Sequence, residues 1–106
     1  MPIEHGNILT DGGVFKKGSI EFGETIEKVE TCEGEEPGSY IIPGLIDIHS
    51  HGVVGYDFSE ATPEDMREMS LFYARNGITS FLATTITAPE EQIALAVKNI
   101  AAFERP

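Results

Sequence analysis

His49 and His51 stand two residues apart near the end of the stretch Pro43-Gly44-Leu45-Ile46-Asp47-Ile48-His49-Ser50-His51-Gly52. Side chains of an extended chain alternate, so Leu45, Asp47, His49 and His51 share one face and Ile46, Ile48 and Ser50 take the other. Cα atoms so spaced lie about 6 to 7 Å apart, near enough for both imidazoles to meet one divalent ion at about 2.0 to 2.1 Å. A face carrying an Asp and two His is costly to bury without partners, and a metal ion suits these residue types. Asp47, one step deeper, reads as support that orients a ligand or the following loop. A bare His-x-His is a weak motif. What strengthens it is its position: it ends an apolar run rich in β-branched residues, follows Pro-Gly and Asp, and precedes Gly52.

The elements around the pair decide whether that face points anywhere useful. Residues 1–40 consist of short alternating or apolar pieces (Asn7 to Thr10, Val14-Phe15, Ser19 to Phe22, Thr25 to Glu30) separated by glycines, which predicts short antiparallel strands with tight turns. Glu33 to Gly38 reads as a charged, turn-rich linker. From Tyr40 the run Tyr40-Ile41-Ile42, broken by Pro43-Gly44 and resumed from Leu45 to His49, predicts a buried strand. Thr62 then reads as an N-cap, with Pro63 in the first helical position and Met66, Met69 and Tyr73 on one face up to Asn76-Gly77. Ile78 to Ile86 predicts a second buried strand. Thr87 with Glu90 reads as a capping box, opening a helix that buries Ile93, Ala96, Val97, Ile100 and Ala101 and ends near Arg105.

Strand, helix, strand, helix is the order of a parallel sheet with right-handed crossovers. The fold class expected is therefore α/β, with residues 1–40 as a β-strand segment and linker and residues 41–106 as the start of a (β/α)8 barrel. Such a barrel takes roughly 250 residues, so at most two of its eight units fit and the fold reads as incomplete. His49 and His51 then sit at the C-terminal end of a barrel strand, where barrel enzymes place their active sites. Gly52 and Gly55 allow the following loop to approach a ligand closely. Tyr56 and Asp57 either contact substrate or close that loop onto the barrel. Thr84 and Thr85 are accounted for by strand propensity.

Composition narrows the classes further. The chain of 106 residues carries 18 acidic against 7 basic side chains, a net charge of -11, which argues against nucleic acid or an anionic membrane as partner. The N-terminus lacks an export signal, so the expected location is cytoplasmic. Cys32, the single cysteine, reads as a surface thiol and His5 as solvent-facing.

The stretch Pro43 to Gly52 resembles the first-strand signature of the amidohydrolase superfamily. Residues 44–62, GLIDIHSHGVVGYDFSEAT, and residues 76–87, NGITSFLATTIT, resemble the N-acetylglucosamine-6-phosphate deacetylases within it, and residues 1–36 resemble the strands of their small β-sandwich. The resemblance implies a TIM-type barrel of which this chain carries about the first quarter. It also implies a divalent metal, zinc with iron or manganese as alternatives, held by His49 and His51 in a mono- or binuclear site. Some members lack this pair and hold a single metal through later residues. Asp47, Gly52 and Asp57 fall to supporting roles. The catalytic Asp, the remaining ligands and most sugar-phosphate contacts are expected beyond Pro106, leaving no catalytic residue within the chain. The substrate implied is a small amino-sugar phosphate, N-acetylglucosamine 6-phosphate, hydrolysed to glucosamine 6-phosphate and acetate by a homodimer. Two readings compete: a cyclic amidohydrolase of dihydroorotase or hydantoinase type, and a non-catalytic module in which the histidines hold a structural metal or none.

Overall fold

A computed structural model describes Met1 to Phe103 as two compact units, Met1–Pro43 and a second beginning at Gly44. In the first unit, alternating apolar residues and glycine turns produce a meander of β1 (Ile3–Thr10), β2 (Val14–Phe22) and β3 (Ile26–Cys32), joined antiparallel. A fourth strand, β4 (Tyr40–Ile41), lies parallel to β1 and completes the order β3-β2-β1-β4. The sequence placed Ile41 with the second segment, but Tyr40 and Ile41 pair here with Asn7 and Ile8. The reason lies in Asn7, which is fully buried: its side-chain amide donates to Glu36 O at 2.8 Å and its Oδ1 accepts from Glu36 N at 2.9 Å. Asn7 N also donates to Ser39 O at 2.8 Å. These bonds draw the linker to β1, and β4 follows from it. Cys32 and His5 are exposed, as their polar surroundings predicted.

The second unit runs β5 (Leu45–Ser50), the hairpin β6 (Gly52–Val53) and β7 (Tyr56–Asp57), α1 (Pro63–Arg75), β8 (Ile78–Ala83) and α2 (Glu90–Ala102). β5 and β8 pair in parallel, with α1 as the crossover between them. α1 starts where the sequence placed it. Thr62 Oγ1 accepts from Asp65 N at 3.2 Å while Asp65 Oδ2 accepts from Thr62 N at 3.0 Å, a reciprocal capping box. Gly77, at φ +82°, carries the chain out of the helix in the left-handed conformation that glycine adopts without steric cost. The apolar stripe of α1 is buried as predicted: Met66, Met69 and Tyr73 form the core with Phe58 and Ala61. Phe81 of β8 stacks on Phe58 at 5.5 Å and lies 4.7 Å from Tyr73, centroid to centroid.

α2 departs from expectation in three respects. It begins at Glu90 with Pro89 as its cap and no side-chain cap bond, so Thr87 and Glu90 do not form a capping box. A residue preceding proline is pushed out of the helical region, so Ala88 could not serve as the first helical residue after Thr87. Ala96 is buried and Ile93 and Ile100 are partly so, but Val97 is 56% exposed and Ala101 is exposed as well. The helix ends at Ala102, and Arg105 lies outside the described residues. β8 likewise ends at Ala83, short of the expected Ile86.

Candidate metal centre

The strand that carries the histidines is irregular where they sit. Asp47 pairs with Phe81 and Ser50 with Ala83, so three steps along β5 match two along β8. The regular ladder is thus interrupted over the residues where the histidines begin. Within this irregular stretch His49 N donates to Asp47 Oδ1 at 3.0 Å. Asp47 thus bonds the backbone of His49 directly. Sequence had assigned it a supporting role, and this bond is the contact through which it would act.

His49 and His51 emerge together from the C-terminal end of β5, both exposed, with ring centroids 5.0 Å apart and Nε2 atoms 3.1 Å apart. Two nitrogens each about 2.0 to 2.1 Å from one tetrahedral ion lie about 3.3 Å from each other. The pair therefore fits a shared divalent ion, and at the same separation one neutral ring can donate a hydrogen bond to the other. Among the described residues no group of three or more His, Cys, Asp or Glu is placed to hold an ion. Two imidazoles are half of a tetrahedral set, so an ion held here would need further ligands from outside the described residues.

The opposite face of β5 anchors this end of the strand. Ser50, buried between the two histidines in sequence, shares a hydrogen bond with the Tyr73 hydroxyl of α1. The main chain is held as well: Ser50 O accepts from Thr84 N at 2.9 Å, and His51 O accepts from Phe58 N at 2.8 Å. Sequence spacing alone gives Ser50 no partner and marks Tyr73 only as core. A signal was present, since Ser50 is the one hydroxyl on the Ile46-Ile48-Ser50 face and Tyr73 the one on the Met66-Met69-Tyr73 face.

The loop after the histidines is closed by its own polar groups. Gly52 has φ +153°, and a Cβ there would meet Tyr56 O at 1.9 Å, so the tight β6–β7 hairpin requires glycine. Asp57 Oδ1 accepts from Ser59 N at 2.7 Å, and its carbonyl accepts from Glu60 N and Ala61 N. Tyr56 donates its hydroxyl to Glu68 of α1 at 2.7 Å. That bond, and the carboxylate's charge, raise the Tyr56 phenol above its ordinary 10.0. These contacts of Tyr56 and Asp57 close the loop. Ser59 Oγ accepts from Ile86 N at 3.0 Å, joining the loops that follow β5 and β8.

No protein-family model matches the chain. It is 36% identical over 90 residues to an N-acetylglucosamine-6-phosphate deacetylase of Vibrio furnissii, covering 78% of this chain and 23% of that protein. It is 36% identical over 102 residues to the N-acetylglucosamine-6-phosphate deacetylase of Bacillus subtilis, covering 87% and 26%. An N-acetylgalactosamine-6-phosphate deacetylase of Escherichia coli O157:H7 is 36% identical over 98 residues, covering 89% and 26%. Among solved structures, the crystal structure of N-acetylglucosamine-6-phosphate deacetylase from Thermotoga maritima superposes with a TM-score of 0.78 at 33% identity, covering 92% of this chain and 26% of that one. The chain thus spans about a quarter of the length of these relatives.

Proposed function

We propose, for a chain that belongs over its matched length to the N-acetylglucosamine-6-phosphate deacetylase family, that the whole protein hydrolyses the acetamide of N-acetylglucosamine 6-phosphate to glucosamine 6-phosphate and acetate. The chain supplies the first two units of an amidohydrolase-type (β/α)8 barrel, with β5 and β8 as neighbouring barrel strands. The observation that carries this reading is the convergence of His49 and His51, Nε2 atoms 3.1 Å apart, at the C-terminal end of a parallel strand. Barrel enzymes build their active sites at that end.

In this reading His49 and His51 hold a divalent ion, zinc with iron or manganese as alternatives. When bound, such an ion supplies Lewis acidity that polarises the amide carbonyl and lowers the pKa of water. Asp47 holds the backbone of His49, and Gly52 lets the chain turn directly after His51 without a side chain in the way. Proton transfer to the leaving amine belongs to a carboxylate outside these 106 residues.

Acetate release by the product of the full reading frame, metal-stripped and then restored with zinc, iron or manganese, tests the proposal. Metal-dependent release is the expected result. No release from folded, metal-loaded protein would move the assignment to a cyclic amide. His49→Ala and His51→Ala are each expected to lose bound metal and lower turnover more than about 100-fold, beyond the 10–100-fold typical of losing a supporting partner. Unchanged metal content and turnover would remove both residues from the site. The Escherichia coli relative favours a second substrate, N-acetylgalactosamine 6-phosphate, so both sugars belong in the assay; faster release from the galacto sugar would reassign the substrate.

A further inference from the structure

We propose that Tyr73 is a positioning residue for the histidine pair, acting through its hydrogen bond to Ser50; this rests on the reading of His49 and His51 as metal ligands. Main-chain bonds at this end of β5, from Thr84 N to Ser50 O and from Phe58 N to His51 O, limit sliding of the strand. They do little against rolling about its own axis, because ladder bonds lie in the plane of the sheet. Roll is the motion that matters here. His49 and His51 project from one face, so a small rotation of the backbone swings both rings together and shifts where their nitrogens point.

Only a contact off the sheet plane resists such rotation, and the Ser50 side chain is placed to make one. It projects from the face opposite the histidines, is buried, and meets the Tyr73 hydroxyl. Tyr73 is itself immobilised: it is buried, packs with Met66 and Met69 in the core, and its ring lies 4.7 Å from that of Phe81. The register shift between Asp47 and Ser50 makes an off-plane anchor more necessary, since the regular ladder is interrupted where the ligands begin. No strand pairs with the other edge of β5 among the described residues.

The test compares zinc affinity, by competition with a chromophoric chelator, and the melting temperature of metal-free protein for the product of the full reading frame and its variants. Tyr73→Phe and Ser50→Ala are each expected to weaken zinc binding about 10–100-fold, the range for partners that orient a ligand. The double variant should be no weaker than the worse single one, because both remove the same bond. Ser50→Thr, which keeps the hydroxyl, should restore affinity. A lower melting temperature with unchanged zinc affinity would overturn the proposal, since a merely structural bond moves only the first. Should Tyr73→Phe fail to fold, Ser50→Ala, the smaller change, decides by the same criterion. His49→Ala separates the two readings: if it leaves zinc affinity unchanged the ligand assignment has failed, and if it abolishes binding while Tyr73→Phe and Ser50→Ala do not weaken it, the positioning role alone has failed.

Discussion

Tyr56 ties the loop after the histidines to α1, and its titration reports whether that tie exists in solution. Its hydroxyl donates to Glu68, and both the bond and the neighbouring charge disfavour the phenolate, raising the folded value above 10.0. A group whose pKa is raised on folding contributes stability that is present below the unfolded value and lost as pH rises through the folded one. The tie therefore holds at neutral pH and loosens only in strong alkali. A difference titration of phenolate absorbance between the parent and Tyr56→Phe should place Tyr56 above 10, and Glu68→Gln should bring it back toward that value. A Tyr56 that titrates at its ordinary value with Glu68 intact would show the contact to be absent. The pairing of His49 with His51 was legible in the sequence, because strand alternation alone puts two residues at i and i+2 on one face. The bond from Ser50 to Tyr73 and that from Tyr56 to Glu68 were not, because partners 23 and 12 residues apart are set by where α1 lies over the sheet.

Among the elements, the two helices begin by different means, and the difference can be measured. Thr62 caps α1 in a reciprocal box with Asp65, so Thr62→Ala should cost about 1 kcal/mol. Thr87 caps nothing, since α2 starts beyond it at Glu90, and Thr87→Ala should leave stability within about 0.5 kcal/mol. Denaturant midpoints of the two variants of the full reading-frame product check this; equal losses would restore Thr87 as a cap. Both threonines matched a start signal in the sequence, and proline separates them. At α1 proline follows the cap directly and fits the first helical position. At α2 it comes two residues later and excludes its predecessor from the helix. The last strand is shorter than its composition suggests: Thr84 to Ile86 have strand propensity, but their length of chain goes into the loop whose Ile86 amide is held by Ser59.

At the scale of the whole molecule, the second unit exposes surface that a soluble protein ordinarily buries. Ile46 is 68%, Ile48 73% and Leu82 60% exposed, on the paired strands β5 and β8. Exposed apolar side chains in such number favour association, and the edges of a two-stranded sheet offer unpaired backbone groups to a second copy. The isolated 106-residue chain should therefore show a sedimentation coefficient that rises with concentration and a broad melt. A monomer with a sharp, concentration-independent melt would contradict this. The strand-helix-strand-helix order was legible because periodicity and caps are local. What would cover Ile46 and Ile48 was not, because among the described residues nothing buries them and a distant partner leaves no local pattern in the sequence.

The arrangement of the first unit bears on the order of events during synthesis. β1, β2 and β3 are joined to their sequence neighbours by hairpins, and Asn7 and β4 close that sheet within Met1–Pro43. At translation speeds of about 5–20 residues per second, these 43 residues are made in roughly 2 to 9 seconds. The sheet can then form on the ribosome before His49 has left the exit tunnel, whereas β5 must wait for α1 and β8 to be made. A nascent chain would therefore hold the paired strands β1 to β4 while the apolar flank of β5 is still open to chaperones.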